Sequence, residues 1–117
     1  MKTLTKTLIK QKTKCDSLFQ VKNLNLWGSK IQDIEVVKEM RNLEVLSLSF
    51  NNISSLKSIK ECHKLKELYV RKNNIKDLTE IKHLENCKNL LVLWLSENPC
   101  CENKDYRLYV IKHLPSL

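Results

Sequence analysis

Histidine and cysteine are the side chains of this protein best suited to acid–base, nucleophilic or metal chemistry, and their spacing supports none of the three. His63, His83 and His113 stand far apart, and none pairs with a cysteine, serine or carboxylate at a recognised catalytic spacing. Each reads as a solvated or cap histidine. The cysteines are Cys15, Cys62, Cys87, Cys100 and Cys101, with no C-x-x-C pair to suggest zinc. Their odd number, without a secretory pattern over Thr3–Thr13, favours reduced thiols in the cytosol or a related compartment. Cys62 and Cys87 read as small core residues, and Cys100 falls where a core isoleucine is expected. One glycine in 117 residues leaves no Gly-rich phosphate loop. No catalytic residue, metal site or cofactor is expected, so the chain reads as a binding module and not an enzyme. Recognition chemistry is better represented, because Trp27, Tyr69, Arg71 and Trp94 are of the types enriched in binding hot spots. Asn51, Asn73 and Asn98 recur at near-constant intervals, as buried amides bonded to neighbouring backbone would.

The elements that must position these residues come from a repeated pattern. Leu43–Leu56 reads LEVLSLSFNNISSL, and 22 residues on Leu65–Leu78 reads LKELYVRKNNIKDL. The shared spacing LxxLxLxxNxIxxL is that of a leucine-rich repeat. Leu46 and Leu48 are two apart, so a short strand points both into a core while Val45, Ser47 and Ser49 point away. Repeats open at residues 18, 40, 62 and 87, with extra residues of the last step in Ile81–Asn86. The fold class is α/β: one leucine-rich-repeat solenoid of the 22-residue short-repeat type over residues 1–117. Asn51, Asn73 and Asn98 form its structural ladder. Ser29 takes that place in the first repeat, where the ladder has a neighbour on one side only.

The register also orders the face opposite the core. One row holds Asn25, Ser47, Tyr69 and Trp94. Beside it lie Asn23, Val45, Glu67 and Val92, and then Trp27, Ser49, Arg71 and Ser96, with Phe50 and Glu97 at the rim. The expected partner-binding residues are Trp27, Val45, Phe50, Glu67, Tyr69, Arg71, Val92, Trp94 and Glu97. The competing reading is self-packing, with Arg71 lying over Trp94 or Tyr69 as a cation–π contact.

The ends read as caps. Residues 1–17 contain an expected helix over 4–15 with Leu4, Leu8 and Cys15 on one face, covering the first open edge of the core. The alternative is a mitochondrial presequence, which such an acid-free amphipathic stretch imitates. The C-terminal cap spans 99–117, where Tyr106, Val110, Ile111 and Leu114 have helical spacing and Pro115 ends the helix. It resembles the cap of the short-repeat class typified by a phosphatase regulator, and ends at Leu117 where that cap continues, so truncation is expected. Of the +8 net charge, residues 1–14 carry +5 through lysine alone. That placement is unlike the footprint of a dedicated nucleic-acid domain. No apolar run reaches the roughly 18 residues of a membrane span. Asn52-Ile53-Ser54 is formally a glycosylation sequon, but it overlaps the buried repeat frame.

Three segments are more specific than the repeat frame. Leu24–Ile34 (LNLWGSKIQDI), Glu67–Ile75 (ELYVRKNNI) and Leu91–Cys101 (LVLWLSENPCC) resemble the cilia- and flagella-associated protein 410 family. Tyr106-Arg107 and Leu114-Pro115 extend the likeness to the end of the chain, with Val70 and Ser29 as mild departures. The resemblance implies the N-terminal solenoid of a cilium or basal-body scaffold, in the cytoplasm or at the flagellar base. It further implies an oligomer in the full protein through a separate helical region, so the isolated domain is expected to be a monomer. Protein partners follow from this reading, and nucleic acid is not expected. The alternatives are a ribonucleoprotein adaptor of the spliceosomal leucine-rich-repeat type, or a regulator of a kinase or phosphatase.

Overall fold

The computed structural model describes residues 2–117. A central leucine between two residues that point to the other face marks each of four three-residue strands: β2 (Asn23–Asn25), β4 (Val45–Ser47), β5 (Glu67–Tyr69) and β6 (Val92–Trp94). They form one parallel sheet in the order β2-β4-β5-β6. Leu24, Leu46, Leu68 and Leu93 lie in register, as do Asn25, Ser47, Tyr69 and Trp94 on the opposite face. Beyond each strand the backbone continues the same ladder. Leu26 N donates to Ser47 O (2.8 Å), Leu48 N to Tyr69 O (2.7 Å) and Val70 N to Trp94 O (2.9 Å).

The chain then turns through a left-handed residue at Gly28, Phe50, Lys72 and Glu97, with φ between 55° and 62°. Only the first of these positions uses glycine. The asparagine that follows holds the turn. Asn51 Oδ1 accepts from Ser29 N and Ile31 N, while its Nδ2 donates to Leu26 O and Leu48 O at 2.9 and 2.8 Å. Asn73 Nδ2 donates to Leu48 O and Val70 O, and Asn98 Nδ2 to Val70 O and Leu95 O. Every rung reaches back to the preceding repeat. Ser29 has no such repeat behind it, and its hydroxyl donates to Trp27 O instead.

Return segments are 3-10 turns: Glu35–Glu39, Lys57–Ile59 and Leu78–Leu84, the longest in the repeat with extra residues. Their starts are fixed by a second periodic set. Asp33, Ser55 and Asp77 accept from the backbone N–H two residues on, which satisfies a donor that the turn leaves free. Between sheet and return segments lies one apolar core with Leu46, Leu48, Ile53, Leu56, Ile59 and Cys62 fully buried at its centre.

The caps differ in three respects from the sequence expectation. A strand β1 (Lys2–Thr3) pairs in parallel with β3 (Ile31–Asp33) on the return side and precedes the first helix. Helix α1 (Lys6–Thr13) begins only after Thr5, whose hydroxyl caps Leu8 N, and ends at Lys14 in the left-handed region. Because β1 sets the helix phase, Ile9 and not Leu8 is its buried anchor; Leu8 and Cys15 are half-buried. Helix α2 (Tyr106–His113) half-buries Tyr106, Tyr109 and Val110 and is followed by buried Leu114, but Ile111 is 66% exposed. It packs on 78–84 and 99–102, and that contact turns Ile111 outward. No helix is long and apolar enough to cross a membrane among the described residues.

Candidate functional site

The concave face carries the candidate site, and two clusters share it. Tyr69 and Trp94 meet edge to face, ring centroids 5.3 Å apart at 77°, a geometry that aligns a ring edge with a π face. The Tyr69 hydroxyl donates to the Glu67 carboxylate. That bond, more than burial, raises the phenol above its usual range, so it stays a neutral donor. Val45 and Val92, half-buried, flank Glu67 in the same row. Trp94 remains 55% exposed at the sheet's end.

The second cluster runs along the rim. Trp27 and Phe50 rings lie 5.0 Å apart, Arg71 sits 5.3 Å over the Phe50 ring, and Arg71 pairs with Glu97 at 3.0 Å. The self-packing of Arg71 raised as the competing reading is present, but on Phe50 and not on Tyr69 or Trp94. The left-handed backbone at Phe50 directs its side chain along the rim toward the neighbouring repeat, whose Arg71 O accepts from Phe50 N (2.9 Å). The Arg71–Glu97 pair is solvent-exposed, so it orients both side chains more than it stabilises the fold.

The aromatic and charged side chains of this face fall into two groups and not one strip, and their row neighbours Asn25, Ser47 and Ser96 are exposed or half-buried. Ser49 is the exception among their row neighbours, since it is buried. The histidines take other roles. His63, His83 and His113 lie near Glu61, Glu80 and Glu85, and His113 Nδ1 approaches Glu85 Oε2 at 3.2 Å, tying α2 to the return side. All five thiols are free. Burial pushes Cys62 and Cys100 up to about 12 and Cys87 to about 11, so these thiols are neutral and poor nucleophiles.

Two structural details escaped sequence reasoning. Cys101 Sγ donates to Leu95 O at 3.0 Å, the place where the next rung's amide would donate. The thiol thus closes the asparagine ladder. Also, Asn42 and Asn89 donate to Phe19 O and His63 O of the preceding repeats. The repeated Asn-Leu pairs at 42–43 and 89–90 signalled this, although Lys64 interrupts the series.

A parallel sheet built from repeats of about 22 residues, with one leucine of each strand in register against a single core, defines a repeat solenoid. The chain belongs to the leucine-rich repeat family, whose profile matches residues 16–117. It is 43% identical over 116 residues to human, and 42% identical to mouse, "Cilia- and flagella-associated protein 410", with 97% of this chain covered in both. The chain spans 45–47% of those relatives' length, a little under half. Among solved structures, a Leptospira interrogans leucine-rich-repeat protein superposes with TM-score 0.70 at 32% identity, over 81% of this chain and 24% of that one. The Drosophila melanogaster SNF/U2A' complex matches with TM-score 0.62 over 100% of this chain and 82% of that one; at 23% identity it shows the fold alone.

Proposed function

We propose that this domain is a non-enzymatic scaffold module that docks a protein partner on its concave face, within a cilium or basal-body assembly. The observation that carries the reading is the Tyr69–Trp94 pair. Both rings leave the sheet opposite the core leucines, the fold does not need them there, and Trp94 is more than half exposed. Tryptophan and tyrosine are enriched among the few residues that carry most of the binding energy of an interface. Valines 45 and 92 offer apolar contact beside them, and Arg71 with Glu97 offers one charge of each sign.

That charge balance also weighs on the ribonucleoprotein alternative. Polyphosphate binding needs several cations in line, and the concave face offers Arg71 beside Glu67 and Glu97. The test is proximity labelling in ciliated cells, comparing the wild-type domain with Tyr69→Ala, Trp94→Ala and Arg71→Glu. Lys57→Glu and Lys82→Glu, exposed on the return side, serve as charge controls. Concave variants should lose the labelled ciliary neighbours while folding normally by circular dichroism. Loss only in the lysine controls would transfer the site to the basic surface.

A further inference from the structure

One hollow of the molecule lies away from the concave face. It is about 650 Å³ and opens between α1 and the first two return segments. Lys6 and Lys10 enter it from one turn of α1, Lys38 and Arg41 from the return side, and Phe19 stands at its edge. Phe19 is 62% exposed on a turn whose backbone is tied at several points. Ser17 caps the turn Leu18–Gln20 while Gln20 Oε1 accepts from Asp16 N and Ser17 N, and Asn42 Nδ2 donates to Phe19 O at 2.9 Å. An exposed aromatic on a turn whose backbone is already fixed binds without the cost of ordering that backbone, which favours it as an anchor.

The cations divide by occupation. Lys6 pairs with Glu39 at 3.3 Å and Lys38 with Glu35 at 2.9 Å. Lys10 and Arg41 have no ion-pair partner among the described residues. We infer that this hollow is a second interaction surface, which takes an acidic peptide segment bearing an aromatic or aliphatic residue. Its carboxylates meet Lys10 and Arg41, and its apolar residue packs on Phe19. The lining argues for a peptide over a polyphosphate. Asp16, Glu39 and Glu61 share the walls, so a uniformly charged strand would meet repulsion that a peptide of mixed composition avoids. The surrounding field is basic, since residues 1–14 hold five lysines and no acid, and it steers acidic chains toward the hollow.

The test uses the full chain and a soluble random copolymer of glutamate and tyrosine, with polyglutamate, a DNA duplex and anionic phospholipid vesicles as alternatives. The Glu–Tyr copolymer should bind about tenfold or more tightly than polyglutamate, and Phe19→Ala should remove that difference. Lys10→Glu and Arg41→Glu should abolish binding of both polymers. Tyr69→Ala and Trp94→Ala should leave it unchanged, which separates this surface from the concave one. Equal affinity of wild type and Phe19→Ala for the copolymer would overturn the inference. So would preferential binding of duplex or vesicles, or loss of binding in the concave variants.

Discussion

At the residue scale, Asn51 does most to join neighbouring repeats. Its side chain meets two backbone donors and three backbone carbonyls, whereas Asn98 meets one donor and two carbonyls. Asn51→Leu should leave buried amides unpaired at a cost of roughly 1–3 kcal/mol. Cys62→Ala should cost less, because it removes one sulfur from a packed site. Chemical denaturation ranking them the other way would refute the ladder as the stronger device. The buried thiols add a pH dependence. Cys62 has a folded pKa of about 12 against a reference of 9.0, so the folded state retains its proton after the unfolded chain has lost it. Stability is full below about pH 9 and falls as pH rises toward 12. Melting temperature should therefore drop between pH 8.5 and 10.5 (buffer values, about two units apart), and Cys62→Ala should shrink that drop. An unchanged drop would assign it to other groups.

At the element scale, the strands and turns were legible because their periods of two and 22 are written in leucine and asparagine positions. The row membership of Tyr69 and Trp94 followed from the same count. Their pairing geometry did not, because rotamers and left-handed turns decide which neighbour a side chain meets, as Phe50 capturing Arg71 illustrates. The caps were least legible, since β1, a two-residue strand, has no pattern and sets the phase of α1. The turn residue offers a test of this backbone account. Lys72 is exposed with φ 55°, whereas the equivalent place in the first repeat is Gly28 at φ 62°. A left-handed conformation costs a non-glycine residue about 1–2 kcal/mol, and glycine loses about 0.5–1 kcal/mol of extra entropy on folding. Lys72→Gly should thus raise stability by up to about 1 kcal/mol, measured by urea denaturation, with the concave face unaltered. A destabilised variant would show that the Lys72 side chain carries a contact the turn depends on.

At the scale of the whole molecule, the solenoid is a stack 43 × 29 × 17 Å in extent whose two ends are closed unequally. The N-terminal cap buries Leu4 and Ile9 to 2% exposure or less, while α2 has no fully buried residue within the helix. The sheet shows the same asymmetry. Leu24, Leu46 and Leu68 are at most 1% exposed, but Leu93 in β6 is half-buried. The periodic backbone bonds also run out there. Val70 N and Lys72 N donate to Trp94 O and Ser96 O, whereas Leu95 N and Glu97 N meet no backbone acceptor among the described residues. In a stack where each repeat contacts only its neighbours, opening begins where the last interface is weakest. Amide hydrogen exchange should therefore be graded: slowest at Leu48 and Phe50, slower at Val70 and Lys72 than in the last repeat, and fastest at Leu95 and Glu97. Cys101→Ala, which removes the thiol donor closing the ladder at Leu95 O, should speed exchange across 92–98 and leave Leu48 unaffected. Uniform exchange through all four strands would show that the domain opens as one unit, and faster exchange at Leu26 than at Val70 would place the weak end at the N-terminal cap instead.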